Sequence, residues 1–180
     1  MAKLCAAGIQ LREQINFDYP ERDKRSDGWI ADARHLAKGN SDHIPSNGLV
    51  RAIDVDADLN AHKEEVFALV EKIRKCAKRG DKRIKYIIHN KQICSPTFNW
   101  KWRKYRGSNP HISHFHCSFT TLGDDNGKPF DLEGTKNDKR FKISSRELGK
   151  SISSSSPSNL PSGGMGCHCT CQCRTSISLA

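Results

Sequence analysis

The chain has 180 residues, enough for one domain with a real core and a tail, and its 30 Lys+Arg against 20 Asp+Glu give a formal net charge of +10. That charge draws the surface toward polyanions such as nucleic acid, anionic membranes or anionic wall polymers without choosing among them. No stretch approaches the roughly 20 apolar residues of a membrane span, and Gln10, Arg12 and Glu13 interrupt the amino terminus before a signal-type apolar run develops. The expectation is a monomer with no membrane span, cytoplasmic when made, that reaches a cell wall only by lysis or separate export.

In chain order, Leu4, Ala7, Gly8, Leu11 and Ile15 recur at helical spacing and predict a helix over residues 3–16 that stops before Tyr19-Pro20. A polar stretch from Glu21 to Asn47 follows, with turn signals at Asp27-Gly28 and Asn47-Gly48 and one short apolar piece, WIADARHLA, long enough for a helical turn or two. LVRAIDV at 49–55 reads as a strand, and its alternation sets Val50, Ala52, Asp54 and Asp56 on one face. Asn60 is positioned to cap a helix over 61–79, with Val66, Leu69, Val70, Ile73 and Ala77 as the buried stripe and Gly80 as its end.

IKYIIHN at 84–90 and HFHCSF at 114–119 predict two more strands, joined by a basic, Trp-rich connection. The fold class is therefore α+β: a small, mainly antiparallel sheet flanked by helices, in one domain over 1–143 with its core at about 4–122. Beyond Thr121 the chain turns polar, and residues 144–180 are Ser-rich and aperiodic, which predicts a disordered tail. Cys5, Cys76, Cys94 and Cys117 lack pairable spacing and read as reduced thiols. In the tail, CHCTCQC carries Cys167, His168, Cys169, Cys171 and Cys173, but no second ligand pair of the zinc-finger kind.

The segment HISHFHCSF carries the chemistry. His114 and His116 are two residues apart on a strand and share one face, while Phe115, Cys117 and Phe119 face the core. Taken alone, an HxH is more often a pair of half-exposed histidines at a sheet edge. Here a histidine in a turn-rich loop, SDH, also precedes a strand whose Asp54 has no lysine or arginine on its own face, and a carboxylate so placed is costly to bury unless paired or bound to metal. Two imidazoles, one carboxylate and an open fourth position make the ligand set of a catalytic zinc site. The other histidine of the pair, His114, is then placed to move a proton to a leaving amine.

Ser41-Asp42-His43, Ala52-Ile53-Asp54 and His114-Phe115-His116 resemble the S-x-H, A-x-D and late H-x-H pieces of the M15-type zinc peptidases, the D-Ala-D-Ala carboxypeptidase and L-Ala-D-Glu peptidase group. SDGWIAD, IKYIIHN and WKWRKYRGSNPH, in that order, bring the likeness nearest to phage-type endolysins, over residues 4–122. The resemblance implies Zn2+ on His43, Asp54 and His116, His114 as base or oxyanion stabiliser, and peptidoglycan as substrate. Two departures stand out. His43 and Asp54 are eleven apart, wider than the commoner family spacing, so the extra residues must loop out, with Ser46-Asn47-Gly48 as the turn; and Ser113 stands where other members carry a catalytic glutamate, which leaves His114, or second Asp56, as base.

Trp102 and Arg103, with Trp100, Tyr105 and Arg106, offer a cleft wall that would hold substrate carboxylates, against the plainer reading of aromatic packing plus solvated bases. Ser41, Asp42, Asn109 and His111 are further candidates for substrate or ligand-supporting contacts, and Arg34 a weaker one. His35, His62 and His89 read as surface or packing residues. The rival reading from another class is a basic nucleic-acid-binding protein, or a metal-dependent nuclease; it accounts for the charge and the WKWRKYR run but leaves the His43, Asp54, His116 set unexplained.

Overall fold

The computed structural model describes residues 1–61 and 63–133; the side chains of Arg34 and His35, all of His62, the 143/144 boundary and the tail with its CHCTCQC run lie outside the described residues. β1 (Lys3–Leu4) leads into α1 (Ala6–Asp18), whose Ala7, Leu11 and Ile15 are buried as their spacing requires. The helix starts later than expected because Lys3 and Leu4 extend to pair in parallel with β2 (Leu49–Val50). Gly8 allows the close approach beneath it: a Cβ there would stand 2.8 Å from Leu4 Cδ1 and 3.3 Å from the Phe119 ring.

α2 (Ala33–Lys38) is the short helix inside the long polar segment. The expected strand at 49–55 is divided into β2 and β3 (Ala52–Asp56) at Arg51, whose guanidinium holds Asp124 through bonds of 2.6 and 2.7 Å. α3 (Glu64–Lys78) buries the expected Val66, Leu69, Val70, Ile73 and Ala77, and Gly80 closes it at a φ of +115°. Asn60 is not its cap: the helix begins at Glu64, and Asn60 turns left-handed at φ +53° with its N–H donated to Asp58 Oδ1. Glu64 and Glu65 in the first turn and Lys75 and Lys78 in the last complement the helix dipole instead.

β4 (Ile84–His89), β5 (Gln92–Cys94), β6 (Arg103–Lys104) and β7 (His114–Phe119) complete the structure with two short 3-10 turns, Pro96–Phe98 and Thr121–Gly123. The main sheet runs β3-β7-β4-β5-β6, antiparallel throughout, so the fold is α+β as the sequence predicts. β5 and β6 were not legible in the sequence.

The two faces of the sheet have different tasks. Ile53, Val55, Phe115, Cys117 and Phe119 turn toward α1 and α3 and form the core, each at most 1% exposed. Asp54, His114, His116 and Ser118 occupy the opposite face by strict alternation. β4 reaches the same division with a bulge between Ile84 and Tyr86: Ile84 pairs with Phe119 and Ile87 with Cys117, while Tyr86 pairs with Ser118 and Ile88 with His116. The extra residue lets IKYIIH send two isoleucines into the core and still place Tyr86 beside the histidines.

The core extends past the expected limit at 122, because Phe130 and Leu132 join it and Gln14 grips the Phe130 backbone through bonds of 2.9 and 2.7 Å. Cys5, Cys76, Cys94 and Cys117 are free and buried, and burial pushes their thiol pKa values up. Among the described residues no helix is long and apolar enough to cross a membrane.

His89 is a packing residue, 5% exposed between the Phe67 and Phe115 rings. Burial, then the nearby His114, lowers its pKa to about 4. The unfolded chain accepts a proton near pH 6.5 and the folded one does not until about pH 4, so stability is full above that window and falls as pH drops through it, by on the order of 3 kcal/mol. In chelated protein, urea midpoints from pH 7.5 to 4.5 should fall less steeply for His89→Leu than for the wild type; superimposable profiles would contradict this.

Candidate metal centre

His43 arrives at the sheet on a loop whose geometry is set by a tight turn. Ser46 and Leu49 exchange backbone bonds of 2.8 and 3.1 Å around Asn47 and Gly48, both at positive φ, which is the two-residue hairpin turn Asn-Gly favours. The extra residues between His43 and Asp54 are absorbed there, as expected. The other side of the site is built by the SDGW segment: Gly28 pairs with Asp54 through Asp54 N–H to Gly28 O at 2.7 Å and the reverse at 3.1 Å, and the Trp29 backbone hydrogen-bonds the His43 ring. Arg22, with a fully buried side chain, holds Asp27 through bonds of 2.8 and 2.6 Å, and Asp27 in turn accepts the Asp56 N–H.

These elements bring three predicted ligands together. His43 Nε2 stands 3.1 Å from His116 Nδ1 and 3.3 Å from Asp54 Oδ2, and His116 Nδ1 stands 2.9 Å from Asp54 Oδ1. A tetrahedral zinc with ligands at 2.0–2.1 Å separates them by roughly 3.3 Å, so little movement is needed to close on an ion. The group is one of the described clusters able to hold a metal.

Proton accounting favours a cation here. Ser118 hydrogen-bonds the Asp42 carboxylate, which can only accept, so the Ser118 hydroxyl donates there and its lone pair accepts from His116 Nε2–H at 2.8 Å. That tautomer points the Nδ1 lone pair at the Asp54 carboxylate, two acceptors in contact with a positive charge required between them. A proton serves poorly, since burial lowers the His116 pKa despite Asp54. Burial alone would raise the Asp54 carboxyl, but hydrogen bonds from His116 and His43 outweigh it and hold Asp54 far below the usual carboxylate range. For His43 burial acts downward, and the hydrogen bond to Asp54 overcomes it and raises the pKa.

Asp42 therefore supports the site from behind. It does not line the cleft; it joins Lys85 at 2.8 and 2.9 Å, Ser118 and Tyr86, and Tyr86 stacks on His116 with ring centroids 5.5 Å apart. Ser118 and Tyr86 were missed in the sequence. Ser118 was findable, as the third residue in the alternation His114, His116, Ser118; the bulge hid Tyr86. Ser118→Ala should lower metal affinity roughly 10- to 100-fold with the fold intact, the usual effect of losing a ligand's outer partner. Competition against a chromophoric chelator checks it, and unchanged affinity would contradict it.

The cleft over the cluster holds about 130 Å3 and is lined by Asn40, Ser41, Tyr86, Tyr105, Asn109 and His111 along with the three ligands. Ser41, Asn109 and His111 are thus where the sequence predicts. His111 sits at φ +50° with Nδ1–H donated to the Asn109 carbonyl at 2.7 Å, and burial, then the neighbouring histidines, lowers its pKa to about 4. His114 lies at the rim, Nδ1 3.2 Å from Ser113 Oγ and Nε2 3.9 Å from Asp54 Oδ1.

Trp102 and Arg103 are not brought to this cleft. Trp102 packs against the core and donates to Glu71 at 3.3 Å, Arg103 stacks 3.5 Å over Phe98, and Trp100 is buried. The plainer reading of the aromatic run holds, apart from Tyr105. Asp56 is also spoken for, accepting the N–H groups of Ser26 and Asp58 at 2.8 and 2.9 Å. A larger groove of about 860 Å3, lined by Asp56, Phe67, His89, Ile112 and Ser113, contains none of the three ligands.

No protein-family model, no curated protein and no solved structure matches the chain.

Proposed function

We propose that the chain is a zinc-dependent peptidase that hydrolyses peptide bonds in bacterial peptidoglycan stem peptides, in the manner of an endolysin. The observation that carries the reading is the contact of His43, Asp54 and His116 at 2.9 to 3.3 Å on one sheet face, beneath an open cleft. Two imidazoles and a carboxylate suit zinc better than magnesium or calcium, which prefer all-oxygen shells. When bound, zinc polarises a carbonyl and lets a water attack near neutral pH.

The remaining tasks fall to the chain's own side chains. His114 Nε2 faces Asp54 from the rim and carries the proton toward the leaving amine, a role worth roughly 10²- to 10⁴-fold in rate. Tyr105 and Asn109 bound the cleft and orient the peptide, and the buried ring of His111 excludes water on their side. The +10 charge favours approach to anionic wall polymers.

The same charge is what favours a nucleic-acid-binding protein as the second reading, but its stacking platform is weakened because Trp100 and Trp102 are taken up in packing. Purified peptidoglycan separates the two. New amino groups released by the wild type and not by His116→Ala support the peptidase, and mass spectrometry of the fragments tells L-Ala-D-Glu from D-Ala-D-Ala cleavage. No release from any wall type, with salt-sensitive DNA retention, supports the binder.

A further inference from the structure

His111 and His114 converge on Asp54 from the side opposite His43. One ring nitrogen or carboxylate oxygen from each of Asp54, His111 and His114 lies within 4.8 Å of the others. The two rings meet edge to face with centroids 5.0 Å apart. Each has its outer nitrogen engaged: His111 Nδ1–H donates to the Asn109 carbonyl at 2.7 Å, and His114 Nδ1 contacts Ser113 Oγ at 3.2 Å. A carbonyl accepts only, so His111 Nε2 carries the lone pair. His114 Nε2 is buried, has no hydrogen-bond partner and faces Asp54 Oδ1 at 3.9 Å, too far for a bond. A ring nitrogen left without a partner beside a carboxylate, with a second lone pair close by, lacks a cation.

We propose that Asp54, His111 and His114 form a second, weaker site for a divalent transition-metal ion, adjoining the first through Asp54, and that filling it silences His114. The donor set of two imidazoles and one carboxylate selects zinc, cobalt or similar ions over calcium and magnesium. The site is weaker because its atoms are spread up to 4.8 Å apart, and must close by as much as about 1.5 Å to reach zinc distances, whereas the first set is already near them. Asp54 has an oxygen for each: Oδ2 toward His43 and Oδ1 toward His114. An ion on His114 Nε2 occupies the lone pair that accepts the proton. Hydrolysis therefore rises as the first site fills and falls as the second does.

The loss of hydrolysis rests on the peptidase reading, but the site itself does not. The test is cobalt and zinc titration of chelated protein, read by visible absorbance and by equilibrium dialysis with elemental analysis, alongside amino-group release from peptidoglycan. The wild type should take up two equivalents, the second at least roughly tenfold weaker, with release falling roughly tenfold or more as it fills. His111→Asn, which tolerates the left-handed backbone, and His114→Asn should each keep the first equivalent and lose the second; the retained equivalent reports that both variants fold. Saturation of the wild type at one equivalent in millimolar metal, or a second equivalent that survives both substitutions, would overturn the proposal while leaving the peptidase intact. Two equivalents with the expected losses but no release at any loading would uphold the site and refute the peptidase.

Discussion

Asp54→Asn is expected to lose metal binding and peptidoglycan hydrolysis together while the chain stays folded. The substitution preserves shape, and the amide oxygen still accepts from one histidine, so the antiparallel ladder to β7 and the backbone pair with Gly28 are untouched. What goes is the only carboxylate among the three ligands and the charge that offsets a dication in a buried site. Metal affinity should drop at least roughly a thousandfold, and release of amino groups should fall to background. The metal-free protein offers a second readout. His43 owes its raised pKa to Asp54, against the downward pull of burial, so in the variant the His43 ring should titrate lower than in the wild type, visible in its ring proton shifts. Retained metal at wild-type affinity would remove Asp54 from the ligand set.

Asp27→Ala should destabilise the chain by about 3 kcal/mol and weaken the metal site at a distance. Its partner Arg22 has a fully buried side chain, and breaking a buried pair by removing one member strands the other charge, a loss that commonly reaches about 3–5 kcal/mol. Arg22 keeps bonds to Asn16 Oδ1 and the Asp23 carbonyl, both 2.9 Å, which places the expectation at the lower end of that range. The Asp56 N–H loses its acceptor as well. Because Gly28 and Trp29 follow directly and brace Asp54 and His43, metal affinity should fall with stability. Arg22→Met, which removes the charge rather than stranding it, should cost less. Urea unfolding of chelated protein checks both, and a loss under about 1 kcal/mol for Asp27→Ala would mean that water replaces the carboxylate.

The site was more legible in the sequence than the frame that holds it. His43, Asp54 and His116 lie far apart in the chain, yet alternation fixed which face each strand residue occupies, and an aspartate among apolar neighbours marked the place where a charge had to be compensated. The buried stripe of α3 was readable for the same reason, since periodicity reports burial directly. The short pieces were not. β1, β5 and β6 have two or three residues each, too few for a pattern, and they extend because partners stand beside them. Asn60 carries the side chain of a cap but adopts a left-handed turn that asparagine equally favours. Phe130 and Leu132 sit in a polar stretch, and only the Gln14 clamp explains their burial. Trp102 and Arg103 looked like a cleft wall because composition carries no direction; β6 turns them away and leaves Tyr105 at the cleft.

Reconstitution tests the central claim most directly. Protein stripped by a chelator and returned to zinc should bind its first equivalent tightly and regain release of amino groups from purified peptidoglycan, whereas His116→Ala, folded by circular dichroism, should do neither. Release that persists after complete metal removal, or that survives in His116→Ala, would contradict the account.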